Sequence, residues 1–143
     1  MTTKKTNIAT VLANLQTTSS GYDLIRYIGI PDMLGQESDL ILYVMGKKLA
    51  RQAECISIEE IQEFFQHVGW GGELALSQEK RRGGYLFELS GSIIQARLQT
   101  LEKIDFQLEA GFLAETINQI SEKDCESIAE IKKDHVILHV LFD

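Results

Sequence analysis

Long hydrophobic runs are missing from this chain, and cysteine, proline and histidine are rare, with two, one and three copies. Because no stretch of about 18 apolar residues occurs, the sequence predicts no membrane-spanning helix. The polar residues 1–5 are not followed by the apolar core of a signal peptide, which predicts a cytoplasmic protein. Cys55 and Cys125 lie far apart in the sequence, so reduced thiols are expected rather than a disulfide framework.

An excess of basic residues is also missing. The chain carries 14 Lys and Arg against 21 Asp and Glu, which gives a formal net charge of −7. Net repulsion would oppose a polyanion, so we predict no nucleic-acid partner. The one basic cluster, Lys80, Arg81 and Arg82, is interpreted as the solvated tip of a hairpin, and a site for an anion or an acidic partner is the alternative.

Motifs of the common enzyme classes are absent from the sequence. It has no Gly-x-Ser-x-Gly elbow, no phosphate-binding glycine loop and no dinucleotide fingerprint. His135 and His139 stand about 13 Å apart along a predicted strand, too far to chelate one metal ion together. We therefore predict a protein that is not an enzyme, with no catalytic residues, no metal site and no cofactor.

Glu109, Glu115 and Cys55 are the remaining candidates for chemistry. The two glutamates are separated by a rotation of about 600° on a predicted helix, so they project to different sides. We interpret Glu109 as a half-buried group bonded to a backbone amide of the 31–36 loop, with catalysis as the alternative. Cys55 precedes a capped helix, but no histidine lies close in sequence to act as its base, so an inert thiol is expected.

The length of 143 residues and the hydrophobic fraction of 44% fit one soluble folded domain. We divide the chain into a partly flexible N-terminal segment, residues 1–20, and a single α+β domain, residues 21–143. Within the first segment, apolar residues recur at helical spacing from Ile8 to Leu15, which predicts a short helix.

Three helices are predicted in the first half of the domain. The first covers about residues 21–30 and ends at Pro31, because proline disfavours a helical conformation of the residue before it. The second covers residues 38–53 and has a broad apolar face. The third covers residues 58–68 and begins with a capping box over residues 57–60.

Local signals define both ends of the third helix. Ile56 is expected to pack on Ile61 as a hydrophobic staple. Gly69 suits the left-handed position after the last helical residue, and Trp70 would then contact Phe65.

Two hairpins are predicted in the second half of the domain. In the first, a turn at residues 80–84 leads to a strand with Tyr85, Phe87 and Leu89 on one face. In the second, a two-residue turn at Lys133-Asp134 would fix the register of the strands, and a loop longer by one residue is the alternative, because Lys-Asp is not a favoured turn pair. The pairs on its core face are then Ile131 with Val136, Ala129 with Leu138, and Ser127 with Val140.

A helix over residues 106–120 separates the hairpins, and Gly111 interrupts its otherwise strong helical pattern. Glycine within a helix costs about 1 kcal/mol relative to alanine. We explain Gly111 by close packing of the helix on the sheet that follows, against the small residues Ser127 and Ala129.

Several motifs in a fixed order carry a resemblance to a known family. They are Pro31 to Gln36, Gly46 to Arg51, Phe64-Phe65 leading to Gly69-Trp70-Gly71, Phe106 to Glu115, and Val136 to Phe142. Together they resemble the uncharacterised YslB-like family of Gram-positive bacteria, a branch of the vinyl-reductase-like superfamily. That superfamily includes the ligand-binding domains of nitric-oxide signalling and the Bet-type subunits of the Golgi TRAPP tether.

The resemblance implies a fold and a style of function. The fold is α+β, with N-terminal helices packed on one face of an antiparallel sheet of about four strands. The function is that of a non-enzymatic cytosolic module that forms a homodimer and binds a small apolar ligand or a protein partner. An enzyme with a dispersed active site and a purely structural adaptor with a filled core are the alternatives.

The homodimer is expected to form through helices within residues 21–68, as in superfamily relatives. Apolar side chains in this range exceed what one sheet face can cover. They include Tyr43, Val44, Met45, Phe64 and Phe65.

The resemblance also implies an apolar cavity between the helices and the sheet. Relatives have such a cavity, and in some of them an acyl chain fills it. Its walls here would be Trp70, Tyr85, Phe87, Ala110 and Leu113, and simple core packing of these residues is the alternative. Haem is not implied, because none of the four tyrosines begins the Tyr-x-Ser-x-Arg motif of haem-binding relatives. Zinc is not implied either. Metal-binding relatives carry several cysteines around the C-terminal hairpin, and this chain has only Cys125 there.

Overall fold

Helices form the first half of the domain, and one β-hairpin lies on either side of the last two helices in sequence. The computed structural model describes residues 19–70, 72–80 and 83–143. The predicted helix from Ile8 to Leu15, and Arg81-Arg82 of the basic cluster, lie outside these ranges.

The helical elements follow one another closely at the start of the described chain. They are α1 (Ser19–Asp23), a π-helical segment (Leu24–Gly29), α2 (Ile30–Leu34), a 3₁₀ turn (Gly35–Glu37), α3 (Ser38–Ala53), α4 (Ile58–His67), α5 (Ser92–Thr100) and α6 (Gln107–Ser121). Helix α5 has no counterpart among the predicted elements, because its adjacent apolar residues Ile93 and Ile94 do not form a helical stripe.

The strands form one antiparallel sheet. They are β1 (Glu73–Lys80), β2 (Gly84–Ser90), β3 (Cys125–Ile131) and β4 (Val136–Phe142). Their order across the sheet is β1-β2-β4-β3, so the two hairpins pair through β2 and β4. The predicted α+β class, with helices packed on a four-stranded antiparallel sheet, is confirmed.

The second hairpin has the predicted register. Ile131 pairs with Val136 and Ser127 pairs with Val140. The Lys132 N–H donates to the carbonyl oxygen of His135 at 2.8 Å, which closes the two-residue turn between them. The alternating residues of β4 are buried on the face that this register assigns to the core: Val136, Leu138 and Val140.

Helix α4 begins and ends as its sequence predicts, except for the staple. The Ser57 hydroxyl accepts the Glu60 N–H at 3.2 Å, and the Glu60 carboxylate accepts the Ile56 N–H at 2.6 Å. The predicted packing of Ile56 on Ile61 is wrong, because the Ile56 side chain is 77% exposed even though its backbone is held. At the other end Gly69 has a φ of 68°, the expected left-handed conformation.

An aromatic cluster joins the end of α4 to α6. The Trp70 ring lies 5.2 Å from that of Phe65, as predicted, and 5.5 Å from that of Phe112 on α6. Phe64 stacks on Phe112 at 4.5 Å. These edge-to-face and stacked contacts fix α4 against the central helix.

The prediction that Pro31 ends the first helix is wrong. The Ile30 N–H donates to the carbonyl of Ile25, which is the wider hydrogen-bond spacing of a π-helix, and Pro31 occupies the first turn of α2. A proline ring inside a regular α-helix clashes with the carbonyl four residues back. The wider π turn relieves this clash, so the chain stays helical through the proline.

Gly111 packs against another helix, so the predicted packing of this glycine against Ser127 and Ala129 of the sheet is wrong. A Cβ atom on Gly111 would overlap the carbonyl oxygen of Tyr43 on α3. Reciprocally, a Cβ atom on Gly46 of α3 would overlap a carbonyl oxygen of α6. The two helices therefore cross in backbone contact, which requires glycine at both points.

Helix α6 is the middle layer of the fold. It packs on α3 on one side and on strands β3 and β4 on the other. Every residue from Leu108 to Ala114 is buried, as expected of a helix with partners on two sides. Helix α3 is consequently an outer layer.

Replacing Gly111 by alanine is expected to destabilise the protein, because the new Cβ would overlap the Tyr43 carbonyl and force α3 away from α6. Overpacking costs about 1 to 3 kcal/mol. Urea unfolding followed by circular dichroism would measure the change in the free energy of unfolding. Gly21→Ala is the matched control, since nothing lies within 4 Å of its Cβ position. Equal effects of the two substitutions would contradict the close helix crossing.

Candidate functional site

A cluster of charged and phenolic side chains lies in the interior around Arg26. Arg26 belongs to the π-helical segment and is 1% exposed. Its Nη1 donates to Asp105 Oδ2 at 2.7 Å and its Nη2 to Asp105 Oδ1 at 2.8 Å, so the ion pair is bidentate. Nη2 also donates to Oε1 of the fully buried Glu109 at 3.2 Å.

The π-helical segment turns its charge inward and its apolar side chains outward. Arg26 and Tyr27 are buried, whereas Leu24, Ile25 and Ile28 are 56% to 64% exposed. This is the reverse of what hydropathy predicts for a surface helix. The segment is therefore fixed by its ion pairs rather than by a buried apolar stripe.

The carboxylates of the cluster come from the start of α6. Asp105 precedes the helix, and its Oδ1 also accepts the Gln107 N–H at 2.9 Å. Glu109 lies in the first turn. Negative charge is favoured at the N-terminus of a helix, so the helix dipole supports both groups.

A second buried arginine, Arg97, comes from α5 and is 3% exposed. Its Nε donates to Asp23 Oδ1 at 2.9 Å, and its Nη2 lies 2.8 Å from the same oxygen. Its Nη1 donates to the carbonyl oxygen of Trp70. The guanidinium carbon lies 5.6 Å from the ring centroid of Tyr22 and 5.5 Å from that of Tyr27, within cation–π range.

Three oxygen atoms of the cluster lack a hydrogen-bond partner among the described residues: Glu109 Oε2 and the hydroxyls of Tyr22 and Tyr27. Burial raises the pKa of the Glu109 carboxyl above its ordinary value of 4.5, and the charge of Arg26 offsets this only in part. Burial also raises the pKa of both tyrosines, so they stay neutral. Burial thus favours the neutral form of the Glu109 carboxyl, whereas the Arg26 charge favours the ionised form.

Glu109 does not have the environment predicted from sequence. It is fully buried and paired with Arg26, so the prediction of a half-buried group on a backbone amide of the 31–36 loop is wrong. The Glu115 carboxylate instead pairs with Arg51 at 3.0 Å near the surface. The two glutamates therefore project to different sides, as expected.

A crevice of about 600 Å³ opens beside the cluster, between Leu24 and α5. Asp23 and Arg97 both belong to its lining. A second opening shares Thr100 and Leu101 with its lining and reaches Pro31. The buried ion pair of Asp23 and Arg97 is therefore accessible from one side.

The residues proposed as cavity walls are placed in the core. Trp70, Phe87, Ala110 and Leu113 are buried, and Tyr85 is half-buried. The rings of Tyr85 and Phe87 lie 6.3 Å apart on β2. None of the five lines the crevice, so a ligand cavity among them stays a prediction.

The cysteines and histidines make ordinary structural contacts. Burial raises the pKa of Cys55 and of Cys125 to about 11, which disfavours a reactive thiolate. Cys125 Sγ lies 3.0 Å from the Ala114 carbonyl oxygen, and His139 Nε2 lies 3.1 Å from a Glu130 oxygen. Within the described ranges, no group of three or more His, Cys, Asp and Glu side chains is arranged to hold a metal ion.

No helix of the described residues has both the length and the apolar character that a bilayer span requires.

Comparison with known proteins places the chain in a family. Residues 19–141 match the family described as "Protein of unknown function (DUF2507)". The chain belongs to this family. It is 41% identical over 134 residues to the uncharacterized protein YslB of Bacillus subtilis, and the match covers 92% of this chain and 89% of YslB. The predicted YslB-like identity is confirmed.

A solved structure has a similar fold. The fold is similar to that of a vinyl-4-reductase family protein from Methanocaldococcus jannaschii, with a TM-score of 0.70 and 17% sequence identity. The match covers 100% of this chain and 99% of the other. At this identity the likeness shows the fold alone, and it confirms the predicted vinyl-reductase-like architecture.

Neither buried arginine was predicted from the sequence to be part of a site. Each is the one charged residue of its segment: Arg26 of residues 24–31, and Arg97 of residues 91–101. A single arginine in such a stretch is a signal for a buried ion pair, since an unpaired buried charge is costly. The partners Asp23 and Asp105 carry no comparable local signal.

The raised pKa of Glu109 predicts a pH-dependent stability. Its folded-state pKa lies above the unfolded value of 4.5, so the folded protein binds the extra proton. The contribution of Glu109 to stability is then fully present below the unfolded-state pKa. It is lost as the pH rises through the folded-state pKa. Relative to Glu109→Gln, the parent protein should lose stability as the pH rises.

Urea unfolding of both proteins at several pH values between 4.5 and about 8 would measure this difference. Glu63→Gln is the control, because Glu63 is exposed. A parent protein that gains stability over Glu109→Gln with rising pH would instead indicate an ionised Glu109 held by Arg26.

Proposed function

We propose that this chain is a non-enzymatic cytosolic module that works as a homodimer, joined through the outward face of α3. The supporting observation is the exposure of large apolar side chains on that helix. Leu40 is 67% exposed, and Val44 and Met45 are each 41% exposed. Contiguous apolar surface of this kind marks interaction sites.

The aromatic residues expected at the dimer interface do not belong to this face. Phe64 and Phe65 are 8% and 0% exposed and pack in the core. The Tyr43 hydroxyl donates to the Glu126 carboxylate and accepts the Ser127 N–H at 2.9 Å. The proposed interface is therefore narrower than the sequence suggests and centres on the aliphatic side chains of α3.

Charges at the two ends of this face favour an antiparallel pair. We define the dimer face as Glu37, Leu40, Val44, Met45 and Lys48, all exposed. In a two-fold antiparallel arrangement, Glu37 of one protomer would lie opposite Lys48 of its partner, and this contact would occur twice. A parallel arrangement would instead bring like charges together.

The non-enzymatic and cytosolic parts of the proposal rest on other groups. Arg26 and Arg97 pair with carboxylates of the same fold, which is a structural use of their charge. Cys55 and Cys125 are free and buried, a state that suits a reducing compartment.

Ligand binding is the second candidate function. The crevice beside Asp23 and Arg97 favours it, since it combines apolar walls with a polar anchor. A cavity walled by the buried core residues of α6 and β2 would require the core to open, so the crevice is the better supported location.

Leu40→Lys is expected to dissociate the dimer, because it would place a charge in the middle of the dimer face. Light scattering should give about twice the 16.1 kDa chain mass for the parent protein and the single-chain mass for the variant. Ile56→Lys is the matched control, since Ile56 is exposed to a similar degree but lies outside this face. A parent protein that is monomeric at micromolar concentration would refute the proposal.

A charge exchange tests the antiparallel arrangement. Glu37→Lys alone and Lys48→Glu alone should each weaken the dimer, because like charges would then face each other at both contacts. The double variant should recover much of the parent affinity, since both contacts are restored with reversed sign. If the two substitutions weaken the dimer additively, the proposed pairing of these residues is wrong.

A further inference from the structure

The crevice between α5 and the start of the π-helical segment has the dimensions of a small-molecule site. Its volume of about 600 Å³ lies within the range of about 300 to 1,000 Å³ that such sites occupy. Its apolar walls are Leu24, Ile93, Ala96 and Leu101. Leu24 is 61% and Ile93 is 42% exposed, so a bound apolar group would remove this surface from water.

The polar part of the lining consists of the Asp23–Arg97 ion pair and of Ser92 and Thr100. Arg97 is 3% exposed, and its guanidinium is held by Asp23 Oδ1 and the Trp70 carbonyl. The Asp23 side chain is 30% exposed, and both contacts with Arg97 use its Oδ1. A ligand would therefore meet a carboxylate oxygen rather than the guanidinium.

The surrounding charges favour a cationic ligand. Asp23 already offsets the charge of Arg97. The neighbouring opening adds two carboxylates, Asp32 and Glu102, against one ammonium group, Lys103. The formal net charge of −7 adds long-range attraction for cations.

The fold holds this arrangement in place before any ligand binds. Asp23 immediately precedes the π-helical segment, whose position is fixed by the ion pairs of Arg26 with Asp105 and Glu109. Single π turns inside helices are frequent at functional sites. A preformed anchor lowers the cost of ordering side chains when a ligand binds.

We propose that this crevice is a binding site for a small amphipathic amine. The apolar body of the ligand lies between Leu24 and Ile93, and its ammonium group donates to Asp23 Oδ2. Ala96 forms the floor between them, where a larger side chain would occupy the ligand's place.

Isothermal titration calorimetry with three probes of equal chain length tests the proposal: octylamine, octanol and octanoate, each below its micelle concentration. Octylamine should bind saturably, with one molecule per chain, and at least tenfold more tightly than octanoate. Octanol should fall between them, because it can donate a hydrogen bond but carries no charge. Octylamine binding no tighter than octanoate would overturn the proposal.

Two variants locate the site. Ala96→Leu should weaken octylamine binding at least tenfold, whereas Gln95→Leu, which places the same new side chain at the neighbouring exposed position of α5, should leave it unchanged. Asp23→Asn should remove the preference for octylamine over octanol while still accepting from Arg97. Thermal unfolding of each variant shows that the fold is retained. Unchanged octylamine binding by a folded Ala96→Leu protein would place the ligand elsewhere.

The site is independent of the proposed dimer. None of the crevice walls lies on α3, so the monomeric Leu40→Lys variant should bind octylamine as the parent does. Loss of binding in that variant would overturn the single-chain site and indicate that a second copy completes it.

Discussion

Backbone contact between α3 and α6 is the constraint on which the layered structure depends. Gly46 and Gly111 each leave room for a carbonyl of the opposite helix, so neither position accepts a side chain. The approach lets α3 reach the edge of the sheet, where Tyr43 and Lys47 bond Glu126 of β3. Without this approach the outer helix would lie too far from the strand for these bonds. Glycine thus determines a tertiary contact here, beyond its effect on the conformation of its own helix.

A second constraint acts on the N-terminal helices, which lack a conventional apolar inner face. Arg26 and Arg97 attach them to α6 and α5 through carboxylates in the interior. Buried ion pairs add little net stability compared with well-packed apolar groups, but losing one partner is costly. Such pairs specify one arrangement of the helices, and they free the apolar side chains of the π-helical segment to face outward. The crevice exists because those side chains line a surface instead of a core.

The sequence predicts what local rules decide. The register of β3 and β4 follows from alternation and a two-residue turn, and the ends of α4 follow from Ser57 and Gly69. Contacts between elements that are distant in sequence are harder to predict. Gly111 indicates close packing, yet nothing local distinguishes a sheet from a helix as its partner. Arg26 appears in an apolar stretch that periodicity assigns to the core. The direction of the Arg26 side chain depends on a π turn and on Asp105. A search for hydrophobic residues at a period of 3.6 detects neither of them.

Helix α3 connects the architecture with the proposed function. Its inner face includes the small residues Gly46 and Ala50, which bring the helix close to α6, and the buried Leu42. Its outer face carries Leu40 and Val44. A helix that is apolar on opposite sides is usually buried on both. One partner of α3 is α6, and in the proposed dimer a second copy of the chain would be the other, with apolar surface and complementary charges at both ends. Gly46 thus allows the close inner contact, and the exposed Leu40 and Val44 would make the outer contact of the proposed dimer.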